Sequence, residues 1–375
     1  MQKVDTAHSD TVEASWDSFC DELKAAGRTI QRPEAPDTLL DRTEGWRLLS
    51  RYTRLGLQMM LEFADPDFPV FYAASDDTIK VFLPNPDNIY CNASIAGDRE
   101  YRIRGQRGSV AYLSFGTKAN RYAVDGTMAS TGELEAADME IAPDGSFELV
   151  LSRQPQPGNW LPMAEDSSMV IVRQTFLDRA TETPAQLGIE RIGAPPAPAP
   201  LSGAALSGGL ARASAFVQGT ARLVADWAQM VAQRPNELAA EPYAAAAMRV
   251  GGDPKICYYH GFWRLAPDEA LVIDSEVPDC PYWNFQLANY WLESLDTVHR
   301  QVSVNQRGAR YNADGSVTLV IAAEDRGVGN FIDTDGHRSG GMLLRWVGAK
   351  NHPVPRCRVV KLDTLAAPTS VAPSG

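Results

Sequence analysis

The stretch from Asp314 to Trp346 has an imperfect copy of itself earlier in the chain, from Asp144 to Phe176, and this duplication constrains the fold more than any other feature. Both copies open with Asp-Gly-Ser before an alternating strand, continue through a Gly-Asn pair, and close on an apolar strand that ends at an arginine. Asn159 lies 15 residues after Asp144 and 14 before Arg173, while Asn330 lies 16 after Asp314 and 15 before Arg345. Two copies are too few for a solenoid, so the chain reads as one β unit doubled.

A length of 375 residues exceeds what one core usually accommodates and agrees with two domains. A formal charge of −12, from 47 acidic and 35 basic residues, opposes attachment to nucleic acid or to an anionic membrane. The N-terminal stretch MQKVDTAHSDTVEASW has neither an apolar core nor a cleavage signal, and no apolar run is long enough to span a bilayer, so a cytoplasmic location is the default expectation. Cys20, Cys91, Cys257, Cys280 and Cys357 are odd in number and widely spaced, and read as reduced, mostly buried thiols.

In chain order, residues 1–66 read as a helical preface. Trp16, Phe19 and Leu23 share a face, and a second helix starts near Asp41, where Asp41 and Glu44 have capping-box spacing. Residues 67–178 break into short alternating runs, giving a first antiparallel β domain with strands over 89–95, 100–104 and 109–115. Residues 179–209, rich in Pro, Ala and Gly, read as an exposed linker. Residues 210–252 carry a helix with the stripe Phe216, Val217, Thr220, Leu223, Val224, Trp227 and Val231, then a short Ala-rich helix. Residues 253–365 form a second β domain, with strands over 256–263, 270–277, 282–290 and 356–362, and residues 366–375 a mobile tail.

Standard catalytic signatures are missing: the chain has no Gly-x-Ser-x-Gly, no Gly-Lys phosphate loop, no His-Glu-x-x-His and no dinucleotide glycine motif. The densest polar segment is Asn330, Asp333, Asp335, His337 and Arg338, among glycines 336, 340 and 341. It offers His337 as general acid or base, Asp333 to orient it and Arg338 to neutralise charge, or else an ordinary turn in which the aspartates bond local backbone. The first copy has Glu165 and Asp166 at the matching loop and no histidine, which assigns such chemistry to the second domain.

An aromatic belt containing His260, Trp263, Trp283 and Trp291 could stack on a ligand ring, or fill a core. Arg102 and Arg104 point to one face of a strand and could hold an oxyanion, or form local ion pairs with Asp98 and Glu100. Asn88 and Tyr90 are the neighbouring polar candidates. Pairs such as His260 with Glu293, or His299 with Asp296, match no standard metal spacing, so no metal site and no particular cofactor is indicated.

The runs YWNFQLANYWLESLDTVHRQVSVNQ and ADGSVTLVIAAEDRGVGNFIDTDGHRSGGMLLRWVGA resemble the bacterial DUF1214 domain. PNPDNIYCNASIAGDREYRIRGQRGSV resembles the leading portion of longer proteins that carry it, some together with a DUF1254 domain. The resemblance runs from about Phe71 to Leu362 and implies two antiparallel β-sandwich, jelly-roll-like domains with helical additions, mainly β overall; it implies no reaction. The functional expectation is a cytoplasmic enzyme, or enzyme-like protein, acting by acid/base chemistry on a small ring-bearing or oxygenated metabolite in an inter-domain cleft. The alternative is a non-catalytic protein binding carbohydrate or a hydrophobic ligand. An assembly role for the aromatic runs leaves a homo-oligomer open.

Overall fold

The computed structural model describes residues 6–365, which divide into two compact units. The first holds the chain up to Lys80, Asp87–Ala225 and Met248–Asp253. The second holds Val81–Pro86, Asp226–Ala247 and the chain from Pro254 onward. The division is therefore not the strictly sequential one expected, because residues 81–86 and 248–253 each pack with the other unit's chain. The expected tail, 366–375, lies outside the described residues.

In the first unit, a five-stranded sheet runs in the order β1 (Tyr72–Ser75), β2 (Asn88–Ser94), β8 (Met169–Thr175), β4 (Tyr112–Arg121), β5 (Thr127–Glu135). It shares a core with a four-stranded sheet in the order β7 (Trp160–Pro162), β6 (Ser146–Ser152), β3 (Tyr101–Gln106), β9 (Gln186–Arg191). Phe115, Val170 and Val172 from the first sheet meet Tyr101, Ile103, Leu149 and Leu151 from the second. Strand β9 lies within the segment expected to be linker: Leu187 and Ile189 alternate with exposed neighbours and pack on this core, a short period-2 signal hidden by the surrounding prolines.

The second unit repeats this arrangement strand for strand. Its larger sheet is β10 (Leu238–Ala239), β11 (Ile256–Arg264), β17 (Ser339–Val347), β13 (Tyr282–Leu287), β14 (Ser303–Asn305). Its smaller sheet is β16 (Asn330–Asp333), β15 (Val317–Ala322), β12 (Glu269–Ser275), β18 (Arg356–Lys361). Each strand occupies the place of the strand nine numbers earlier. In both units the smaller sheet carries one parallel pair, β6 with β7 and β15 with β16, and the other pairs are antiparallel. The protein is thus a duplicated β-sandwich with helical additions.

The repeated sequence signals have matching structural jobs. Asp144 and Asp314 each accept the backbone N–H and hydroxyl of the serine two residues on, and Gly145 and Gly315 take positive φ values of 85° and 83° to close the turn. Asn159 Oδ1 accepts from the Glu140 N–H at 2.7 Å while its Nδ2 donates to the Glu140 and Glu148 carbonyls. Asn330 does the same with the Arg310 N–H at 2.6 Å and the Arg310 and Thr318 carbonyls.

The helices are α1 (Thr6–Ile30), α2 (Leu39–Leu57), α3 (Gly203–Val231) and α4 (Tyr243–Arg249). α2 starts two residues before the expected Asp41 because Thr38 is the cap: its Oγ1 accepts the Asp41 N–H at 3.0 Å and donates to the Asp41 carboxylate. Gly56 of α2 lets the Ala213 backbone of α3 approach, and Phe19, Leu210 and Ala213 form a helical core. Among the described residues no helix is long and apolar enough to cross a membrane.

Candidate functional site

Strand alternation sends Leu113 and Phe115 of β4 into the first core, and therefore sends Tyr112, Ser114, Gly116 and Lys118 to the other face of the five-stranded sheet. Register adds Arg173 beside Ser114 and Tyr90 beside Arg173. It also sets Glu135 beside Ser114 and Glu133 beside Gly116. Such a polar face ordinarily meets solvent, yet Lys118 is 0% exposed and Arg173 7%. It is a buried polar layer.

Its cations and carboxylates are paired. The Lys118 ammonium donates to Glu133 Oε1, which also accepts from the Ser130 hydroxyl at 2.6 Å. Gly116 makes room for this: a Cβ there would lie 2.4 Å from Glu133 Oε2, so the missing side chain lets the carboxylate lie over the sheet. Arg173 donates to the Gly251 carbonyl at 2.9 Å and faces the buried Asp253 carboxylate at 3.7 Å. Tyr112 donates to Glu135 at 2.5 Å. Burial, and then the Arg173 charge, push the Lys118 pKa down against the pull of Glu133. Burial, followed by the Asp253 and Glu135 charges, pushes the Tyr112 phenol up. On this same face Asn88 Oδ1, Asn92 Oδ1, Ser114 Oγ and Glu133 Oε2 are buried without a hydrogen-bond partner. Unsatisfied buried groups of this kind cost about 1–3 kcal/mol each.

The matching face of the second unit keeps part of this set. Tyr258, Tyr282 and Arg345 occupy the register positions of Tyr90, Tyr112 and Arg173. Asn284 stands for Ser114, Gln286 for Gly116, His260 for Asn92, and Ala288 for Lys118. Ser303 replaces Glu133, so the lysine–carboxylate pair belongs to the first unit only. Arg345 donates to Asn284 at 3.2 Å, Gln286 at 2.5 Å and the Leu83 carbonyl at 2.5 Å. The His260 imidazole lies against Trp227, Tyr243 and Tyr258, and burial with the Arg345 charge holds its pKa down at about 3.

The residues proposed from sequence are distributed over several environments. Asn88 and Tyr90 lie on the first unit's buried polar face, and His260 on the second's. Trp263 and Trp283 belong to the second core, and Trp291 is fully buried against Tyr290, so packing accounts for them. Arg102 and Arg104 sit on the outer face of β3, paired with Glu148 and Glu190 across the strands rather than with Asp98 and Glu100. Asn330 is held by the three backbone bonds described above. Asp333 spends its carboxylate on Arg300 at 3.0 Å and on the Asp335 N–H, and Asp335 also pairs with Arg300. His337 is buried with Nδ1 3.2 Å from the Thr334 carbonyl, and Arg338 is exposed.

A groove of about 920 Å³ over the first unit's smaller sheet is lined by Arg104, Glu140, Phe147, Glu148 and Asn159, but its Arg104 is already paired with Glu148 and Glu190. Among the described residues no three His, Cys, Asp or Glu side chains converge as a metal cage would require. Sequence reasoning missed Lys118, Glu133, Glu135, Asp253 and Arg345 as site residues. The available signal is the pair of arginines that ends the two repeat copies, Arg173 and Arg345.

The sequence profile described as "Protein of unknown function (DUF1214)" matches residues 91–175. That span contains Tyr112, Ser114, Lys118, Glu133, Glu135 and Arg173, and lies in the first unit, whereas the sequence reading laid the DUF1214-like stretch on the second. A solved structure of an uncharacterized protein from Burkholderia cenocepacia is 52% identical, with a TM-score of 0.93 over 96% of this chain and 100% of its own. The VPA0106 protein from Vibrio parahaemolyticus is 11% identical, with a TM-score of 0.49 over 84% of this chain and 97% of its own. No curated protein matches the chain.

Proposed function

The chain matches the DUF1214 family of proteins of unknown function over residues 91–175, and we propose that it is an enzyme whose first unit moves a proton on a small oxygenated metabolite. The substrate is held on the polar face of the five-stranded sheet. Glu133 takes the proton through Oε2, Lys118 returns one to the developing oxyanion, and the Arg173 guanidinium neutralises charge on the same oxygen. Ser114 and the amides of Asn88 and Asn92 orient the substrate.

The observation that carries this reading is the set of four buried polar atoms with no partner, Asn88 Oδ1, Asn92 Oδ1, Ser114 Oγ and Glu133 Oε2, beside a desolvated Lys118–Glu133 pair. A buried ion pair rarely adds net stability, and titratable groups perturbed by burial and by a specific partner cluster at functional sites. This reading puts the chemistry on the first unit rather than on the glycine-rich loop around His337. A cytoplasmic setting fits the five cysteines, all free, with burial pushing up the thiols of Cys91, Cys257, Cys280 and Cys357.

The test is solvent deuterium incorporation, followed by mass spectrometry, into a panel of small hydroxy- and oxo-acids incubated with purified protein. Glu133→Gln should abolish label uptake from any active compound while leaving its binding within a few-fold. Undiminished exchange in that variant would remove Glu133 as the base.

A further inference from the structure

Arg345 is 5% exposed, and its acceptors are two side-chain amides and one carbonyl, all uncharged. They take three of its five N–H groups, and no carboxylate pairs with it among the described residues. Arg173, at the same position of the first unit, faces Asp253. A buried charge without a counter-charge is costly, and the amides Asn284 and Gln286, both fully buried, hold the guanidinium in place without neutralising it.

Two further groups beside it are unsatisfied. Both ring nitrogens of His260 and the Trp227 Nε1 are buried with no hydrogen-bond partner, and the two rings lie 5.3 Å apart between centroids. His260 is 7% exposed and Trp227 6%, so neither is waiting on bulk solvent. Neutral imidazole supplies one N–H and one acceptor, and indole supplies one N–H. The flanking surfaces are flat: Tyr243 and Tyr258 lie 6.1 and 6.0 Å from the imidazole, and Phe82 lies 6.2 Å from Trp227.

We infer that the second unit binds a small monocarboxylate with a planar body, its oxygens received by Arg345, His260 and the Trp227 N–H. One guanidinium beside a neutral imidazole provides a single positive charge, which suits a monoanion better than a phosphate dianion, and a guanidinium fork matches a planar carboxylate. This site is separate from the proton-transfer face of the first unit, and its argument stands on different residues.

The experiment is titration of the full chain with sodium benzoate, followed by tryptophan emission and by calorimetry. The wild type should show saturable quenching with a stoichiometry of one. Arg345→Met should lose binding. Trp227→Phe, which keeps a ring and removes only the N–H, should weaken it about five- to tenfold, the worth of one hydrogen bond. Arg102→Gln, on the exposed face of the other unit, should bind as the wild type does. No saturable signal, equal affinity in Trp227→Phe and the wild type, or a benzoate-soaked crystal showing only water between His260 and Trp227 would each overturn the inference.

Discussion

Replacing Lys118 by Met separates a pair whose two members depend on each other. In the folded chain the ammonium is fully buried and Glu133 retains 18% of its side-chain surface. Removing the amine leaves the carboxylate with the Ser130 hydroxyl alone, and its second oxygen stays bare. Stranding one member of a buried pair costs about 3–5 kcal/mol, and the relieved repulsion between Lys118 and Arg173 moves the expectation to the lower end, about 3 kcal/mol. For a unit of this size that is roughly 6–12 °C in melting temperature. Adding Glu133→Gln removes the stranded charge, so the double variant should be more stable than Lys118→Met alone. Urea unfolding of the four proteins gives the cycle directly, with a coupling energy of about 2 kcal/mol or more expected. The sign of the pH dependence follows from the lowered Lys118 pKa. Between that value and the ordinary 10.5 the unfolded chain binds more protons, so this residue makes stability rise with pH across that window, and Lys118→Met should flatten the rise. A single variant as stable as the wild type, or a double variant at the sum of the singles, would refute the reasoning.

Acid titration should expose His260 in the same way: its folded pKa of about 3 lies below the ordinary 6.5, so stability falls as pH drops from 6.5 toward 3. Comparing His260→Phe with the wild type by chemical denaturation at pH 7 and pH 4 should show less acid loss in the variant, the His260 share being on the order of several kcal/mol. Asn159→Ala and Asn330→Ala each remove three equivalent bonds, but Asn330 is 7% exposed and Asn159 more open; thermal melts should show Asn330→Ala the more damaging, by about 1 kcal/mol or more. Gly340→Ala should lower the midpoint of unfolding sharply, because its Cβ would lie 2.0 Å from the Ala288 carbonyl oxygen, and backbone on a central strand cannot retreat.

The duplication, the two Asp-Gly-Ser turns, the two Gly-Asn pairs and the helical stripe of α3 are legible in the sequence because each is local: a turn, a spacing of two or a spacing of three and four is written in adjacent residues. Phe115, Val172, Leu319 and Leu344 lie on the inward faces of their strands, in the two cores. The role of the opposite faces is not legible in this way. Tyr112, Ser114 and Lys118 alternating with Leu113 and Phe115 is the pattern of a strand whose polar side meets water, and nothing in the strand itself says that this side will be covered. Asp253 reaches Arg173, and Leu83 reaches Arg345, across 80 and 262 residues of chain. Whether a polar residue ends as a solvated surface group or as a desolvated charge seeking a partner depends on which distant segment lies over it, and that is decided only when the chain closes on itself.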